Sequence, residues 1–197
     1  ILPESVVCKW GNFFMKKLWI PLVFLCSMLH AQQHGDLDQT FGTNGIVTFS
    51  ISDYYDMIYD VAVQSDGKIV TVGRARMDGT NYYMAVTSHN PDGSYDEIFG
   101  TNGIKVFQPT YNYGNFAMQV KLLDNGQILA GGYAYDGGNN SDPLIVKLNI
   151  DGSLEPSFGE NGVSYITSSE SITMEALEVQ EDGNIILDGY FNDVLGA

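Results

Sequence analysis

Apolar and polar positions alternate along much of the chain with a period of two. Val61 and Val63, Val120 and Leu122, and Leu177 and Val179 form two apolar columns, and the residue between them (Ala62, Lys121 or Glu178) is free to be polar. Successive side chains of a strand point to opposite faces, so this pattern predicts strands with one buried face. Ile69-Val70, Ile128-Leu129 and Ile185-Ile186 are continuous apolar pairs, which suit a strand covered on both faces. These strands run on to Gly73, Gly132 and Gly189, where a bend or another backbone needs room. Further strands are expected over about 82–88 and 144–148, and short ones over 46–49, 104–107 and 163–166. No stretch of about 10–12 residues carries helical periodicity.

The strands are punctuated by three landmarks that recur. The first is a phrase, Leu37-Asp38-Gln39-Thr40-Phe41-Gly42-Thr43-Asn44-Gly45, which returns around Phe99-Gly100 and Gly103, and again around Phe158-Gly159 and Gly162. The steps between the phenylalanines are 58 and 59 residues. The second landmark is a turn around Gly67, Gly126 and Gly183, and the third is Asn90-Pro91-Asp92-Gly93-Ser94, matched by Asn149-Ile150-Asp151-Gly152-Ser153. Asn-Gly and Asp-Gly tolerate positive φ, so these landmarks are expected to reverse strands. Four strands per unit of roughly 40–60 residues predict an all-β fold of propeller blades, each with four antiparallel strands. A β-helix coil would be shorter, and a membrane barrel would need longer alternating strands.

Taken together, the Leu-Asp-x-x-Phe-Gly-x-x-Gly phrase, the x-Asp-Gly-Lys-Ile turn and the Asn-x-Asp-Gly-Ser turn resemble the delta-60 repeat, a family of bacterial exported repeats. The resemblance covers 35–191 with the three landmarks in register; Glu155 and Asn125 stand where the pattern usually has Asp. It implies a β-propeller and export, and it carries no reaction and therefore no catalytic residues.

Composition changes the picture at the ends. Met15-Lys16-Lys17 followed by the mostly apolar 18–29 and a small residue at Ala31 reads as a signal peptide over 15–31. The run is shorter than the roughly 20 apolar residues a membrane helix needs, so no membrane span is expected in the mature chain. Residues 1–14 precede that start and read as an over-extended reading frame. Both cysteines, Cys8 and Cys26, fall in these two stretches, so 32–197 is expected to hold its fold without disulfides. The repeats divide it into blade 1 at about 37–94, blade 2 at about 95–153 and a partial blade 3 at 154–197, about 2.75 units. Leu195-Gly196-Ala197 stops before a segment that both earlier units contain, as an N-terminal fragment would. Nine Lys and Arg against 24 Asp and Glu give a net charge of −15, which repels nucleic acid.

Candidate chemistry is sparse. Phe41, Phe99 and Phe158 recur at one place per unit and are expected to lock blade to blade, with Gly42, Gly45, Gly100, Gly103, Gly159 and Gly162 shaping their turns. Asp38, Asp96 and Glu155 are expected to accept hydrogen bonds within their own turns. The Asp-Gly turns offer one or two acids each, too few for a calcium loop, so no metal or other cofactor is expected. Of the histidines, His34 and His89 lie beyond the leader; His89 occupies the place of Leu148 and reads as a spacer, and Asp188 as paired with a backbone amide. No triad is visible, so the protein reads as no enzyme. A carbohydrate hydrolase or lyase would have to draw its acids from Asp53, Asp56, Asp136 and Asp193. A sensor propeller with a distant effector domain is the other alternative.

The loops supply the stronger signal. Those carrying landmarks are nearly identical between units, and those at the opposite end differ freely and are rich in tyrosine. Variable loops on a rigid scaffold are where binding is usually placed. Tyr54, Tyr55, Tyr111, Tyr113, Tyr133 and Tyr135 are the candidate ligand-binding residues, suited to a glycan or a surface protein.

Overall fold

The computed structural model describes residues 5–8, 35–108, 114–136, 140–167 and 170–191. They form twelve strands: β1 Ser5–Cys8, β2 Ile46–Phe49, β3 Asp56–Val63, β4 Ile69–Arg76, β5 Tyr82–His89, β6 Ile104–Phe107, β7 Gly114–Leu122, β8 Ile128–Tyr135, β9 Ser141–Leu148, β10 Val163–Tyr165, β11 Ile172–Val179 and β12 Ile185–Phe191. No helix occurs among the described residues. The fold is all-β, built from propeller-type blades. β3 to β6 make one antiparallel four-stranded meander and β7 to β10 a second, while β11 and β12 form a hairpin. A single parallel bridge, Tyr82 to Gly114, links the first two sheets.

The sheets are offset from the sequence units at 37–94 and 95–153. β6 pairs with β5, and β10 with β9, so the short strand after each Phe-Gly phrase closes the sheet before it. The phrase itself is the reversal between those strands. Its turn is tied by the Phe99 amide donating to the Asp96 carbonyl and the Gly103 amide to the Phe99 carbonyl, both at 2.9 Å. β2 is the corresponding short strand of the first phrase, and β1 lies antiparallel along it with Ser5 opposite Phe49 and Cys8 opposite Ile46. The expected signal peptide at 15–31 lies outside the described residues.

Each first strand of a meander carries one extra residue: Tyr59, Met118 and Glu175 interrupt the pairing of β3, β7 and β11. Opposite each bulge stand Gly73, Gly132 and Gly189, where a Cβ would collide with the carbonyl oxygens of Met57, Phe116 and Thr173. The backbone approach anticipated from these glycines is therefore that of the bulged partner strand.

Two cores hold the sheets face to face. Val70, Val72, Met84 and Val86 of the first sheet pack with Val120, Ile128 and Leu144 of the second. Leu129 and Ile145 of the second pack with Met174 and Leu177 of the hairpin. Each such side chain contributes about 1.5–3 kcal/mol on burial. Val61 and Val63 do not follow the buried column: they are 50% and 65% exposed, since they alternate with Asp60, which faces β7. Ile186 is likewise exposed on the open face of β12, unlike its counterparts Val70 and Leu129.

The phenylalanine lock is a joint between consecutive units. Phe41 and Phe99 are both 1% exposed. Beside them, the Gly42 amide donates to the Asp92 carbonyl and the Gly100 amide to the Asp151 carbonyl, each at 2.8 Å. The rings lie over Gly93 and Gly152, and a Cβ on Gly152 would stand 2.9 Å from the Gly100 nitrogen and 3.1 Å from the Phe99 ring. Phe158 is half-buried, with the Lys147 ammonium 5.9 Å from its ring centroid.

Candidate functional site

The two ends of the sheets are chemically different. At the landmark end the acidic side chains serve the backbone. Asp92 Oδ1 accepts from the amide (2.9 Å) and hydroxyl (2.7 Å) of Ser94, and Asp151 Oδ1 from those of Ser153 (2.9 and 2.6 Å). These bonds favour the ionised form and lower the pKa of both carboxyls. Asp38 holds Thr40, and Glu155 holds Ser157, in the same way. Asp96 departs from the expected pattern: its Oδ2 accepts from Lys68 Nζ at 2.8 Å and from the Ser88 hydroxyl at 3.2 Å. Among the described residues no three His, Cys, Asp or Glu side chains converge in a way that could hold a metal ion.

His89 is 2% exposed and fully engaged. Its Nδ1 lies 3.3 Å from the Gly93 carbonyl, which can only accept, so Nδ1 carries the proton. Nε2 then accepts from the Thr87 hydroxyl at 2.9 Å, and that hydroxyl meets Thr71 Oγ1 at 2.7 Å. The imidazole is stacked on Tyr95 at 4.9 Å between centroids, and Phe49 lies 4.7 Å from it and 5.9 Å from Tyr95, so the three rings form a triangle. It is a structural spacer between β5 and β2. Asp188 accepts from the Gly189 amide at 2.9 Å. A shallow hollow of about 300 Å³ at this end lies between the turns at Gln64–Asp66 and Leu123–Gly126 and presents no aromatic ring.

The opposite end collects rings around a cation. Arg74 and Arg76 lie two apart on β4, so they leave the same face as Val70 and Val72. The Arg74 guanidinium carbon stands 4.2 Å from the ring centroid of Tyr82, 5.1 Å from Phe116, 5.7 Å from Tyr59 and 5.8 Å from Tyr55. Arg76 stands 5.7 Å from the same Tyr82 ring. Tyr133 extends the cluster by stacking on Phe116 at 4.9 Å. Burial pushes the phenols of Tyr59 and Tyr133 up, and the Arg74 charge pulls both back.

Two carboxylates rigidify the surrounding loops. Asp56, buried at the start of β3, accepts from the amides of Ile51 (2.7 Å) and Ser52 (2.9 Å) and from the Ser52 hydroxyl (2.6 Å). Asp78 accepts from the amides of Asn81 (2.7 Å) and Thr80 (2.9 Å), which hold its carboxyl well below the usual range. Asp136 accepts from the Asn140 amide at 3.3 Å, Asp53 is exposed, and Asp193 lies outside the described residues.

Of the predicted tyrosines, Tyr55 and Tyr133 belong to the cluster. Tyr54 is 45% exposed and would contact a side chain on Gly79 across the β4–β5 loop. Tyr135 is half-buried at the end of β8, and Tyr111 and Tyr113 lie outside the described residues. Tyr59 and Phe116 were not among the predicted residues because both sit inside strands rather than loops. The readable signal was the pairing itself: Arg74, Tyr133 and Tyr190 occupy one position of the repeat, and the first of them is a cation.

With this geometry in view, comparison with known proteins adds one match. No match to a curated protein was found. The family model described as "Domain of unknown function (DUF5122) beta-propeller" matches residues 123–158, which run from the end of β7 through β8 and β9 to Phe158 and contain the turn around Gly126, the Asn149–Ser153 turn and the start of the third Phe-Gly phrase.

Proposed function

We propose that this chain is an exported, non-enzymatic β-propeller module of the delta-60 repeat type that acts at the cell surface by binding a glycan through its tyrosine-rich end. The observation that carries the reading is the contrast between the ends. At the landmark end, side chains are spent on turns that repeat from unit to unit. At the other, Tyr54, Tyr55, Tyr59, Tyr82, Phe116 and Tyr133 gather where the loops vary, on a scaffold stiffened by Asp56 and Asp78. Aromatic faces rimmed by hydrogen-bonding groups suit the apolar faces and hydroxyl edges of sugars. The match to a β-propeller domain of unknown function is compatible with this role and does not narrow it. A glycan array probed with the chain tests it, with Tyr54→Ala and Tyr55→Ala as controls. Binding that both substitutions weaken is the expected result; unchanged signals in the variants, or none in the parent, would overturn it.

A further inference from the structure

We propose that Arg74 and Arg76 form a carboxylate-binding subsite, so that the ligand is an acidic glycan whose sugars carry carboxyl groups. This rests on the glycan reading and adds the ligand's charge. The chain contains two arginines in all, and both stand here, over one tyrosine ring. Two of the lysines are matched: Lys68 meets Asp96 at 2.8 Å and Lys121 meets Glu178 at 2.7 Å. Among the described residues no carboxylate pairs with either arginine, although the chain carries 24 acids and a net charge of −15. Arg74 donates to the Met57 sulfur at 3.3 Å, a weak acceptor, and Nε of both arginines is buried without any acceptor.

Such an arrangement is costly without an acceptor. A buried donor without a partner loses its hydrogen bond to water and gains none in exchange, and two neighbouring guanidinium groups repel each other. The rings offset part of this by cation–π attraction, which supplies no hydrogen-bond acceptor to the N–H groups. The edge of a guanidinium is the fork that matches a carboxylate bidentately. A carboxylate seated between the two arginines relieves the repulsion, while its sugar ring lies on the flanking tyrosines.

The test is a panel of oligosaccharides presented in pairs, each uronic-acid chain beside its neutral methyl ester, titrated against the parent chain, Arg74→Gln, Arg74→Lys and Arg76→Gln. The acid form is expected to bind at least about tenfold more tightly than its ester, in keeping with one charge-assisted hydrogen bond. Arg74→Gln and Arg76→Gln should remove that preference, so that acid and ester bind each variant alike. Arg74→Lys should restore only part of it, because an ammonium lacks the fork. Raising salt should weaken the acid form alone. Equal binding of acid and ester would overturn the subsite and leave the glycan reading standing; binding of neither would overturn both. Thermal melts identify a variant that fails to fold, and the more peripheral Arg76→Gln keeps the proposal testable in that event.

Discussion

Lys68 Nζ lies 2.8 Å from Asp96 Oδ2, joining the β3–β4 turn of the first sheet to the Phe-Gly phrase that closes it. The second sheet makes the same join with different chemistry: Gln127 Nε2 donates to Glu155 Oε2 at 2.8 Å. A long cation with a short acid, or a shorter amide with a longer acid, spans the same gap. Asp96 is 6% exposed at its side chain, so Lys68 and Ser88 take the place of water around its Oδ2.

Removing the partner should therefore cost more than a surface ion pair does. Lys68→Ala is expected to destabilise the chain by about 2 kcal/mol, within the range for a hydrogen bond to a charged group. Lys68→Gln combined with Asp96→Glu copies the second sheet and should recover most of that loss. Urea denaturation of the parent, Lys68→Ala and the double variant measures it; a double variant no better than Lys68→Ala would show that the join is not transferable.

The joint between units predicts unequal costs at two glycines of the same conformation. Gly152 and Gly183 have φ of 79° and 85°, so alanine at either carries a left-handed penalty of about 1–2 kcal/mol. At Gly183 nothing lies within 4 Å of the new Cβ, whereas at Gly152 it meets the Gly100 backbone and the Phe99 ring. Gly152→Ala should thus destabilise clearly more than Gly183→Ala. Phe99→Ala, which empties the joint, should cost about 3–5 kcal/mol. Equal melting temperatures for the two alanine variants would refute the joint.

His89 gives the chain a pH dependence with a defined sign. Burial lowers its pKa below the ordinary value of about 6.5, the hydrogen bond to the Gly93 carbonyl opposing this only in part. The unfolded chain then binds more protons than the folded one between that value and the lowered one, so stability rises with pH across the window. It is fully present above about pH 6.5 and is lost as the pH falls towards the lowered value. Carboxylates such as Asp92, also lowered, titrate beneath this window. Denaturation midpoints from pH 7.5 down to 5 should fall for the parent and stay flat for His89→Leu, which borrows the residue found at Leu148.

Much of this was legible in the chain because turns and single strands are local. Asn-Gly and Asp-Gly mark reversals by their own backbone preferences, and Ile69-Val70 announces two-sided burial by composition. Which sheet the short strand at Ile104–Phe107 joins was not legible, since its hydrogen-bond partner β5 lies across a reversal that its own pattern does not describe. Val61 and Val63 share the alternation of Val120, and only the packing of β7 on one face separates them. The arginine cluster was half-visible: Tyr55 and Tyr133 stand out by type and place, but Tyr59 reaches Arg74 from a strand in which one extra residue breaks the period of two.

Asp56 ties the variable loop to the sheet, and its two oxygens divide the work. Oδ2 takes the amides of Ile51 and Ser52, and Oδ1 takes the Ser52 hydroxyl. Asn at this position keeps one oxygen for the amides and can donate its NH₂ to the hydroxyl, which is able to turn and accept. Ala provides neither, and leaves two amides without their acceptor. Asp56→Ala should therefore loosen residues 50–55 and lower stability by about 2–3 kcal/mol, while Asp56→Asn loses less than half of that. Chymotrypsin, which cuts after aromatic residues, reads the difference directly at Tyr54 and Tyr55. Cleavage there should accelerate in Asp56→Ala well before the sheets melt and remain near the parent rate in Asp56→Asn; equal rates in the parent and Asp56→Ala would mean that the loop is held by something other than this carboxylate.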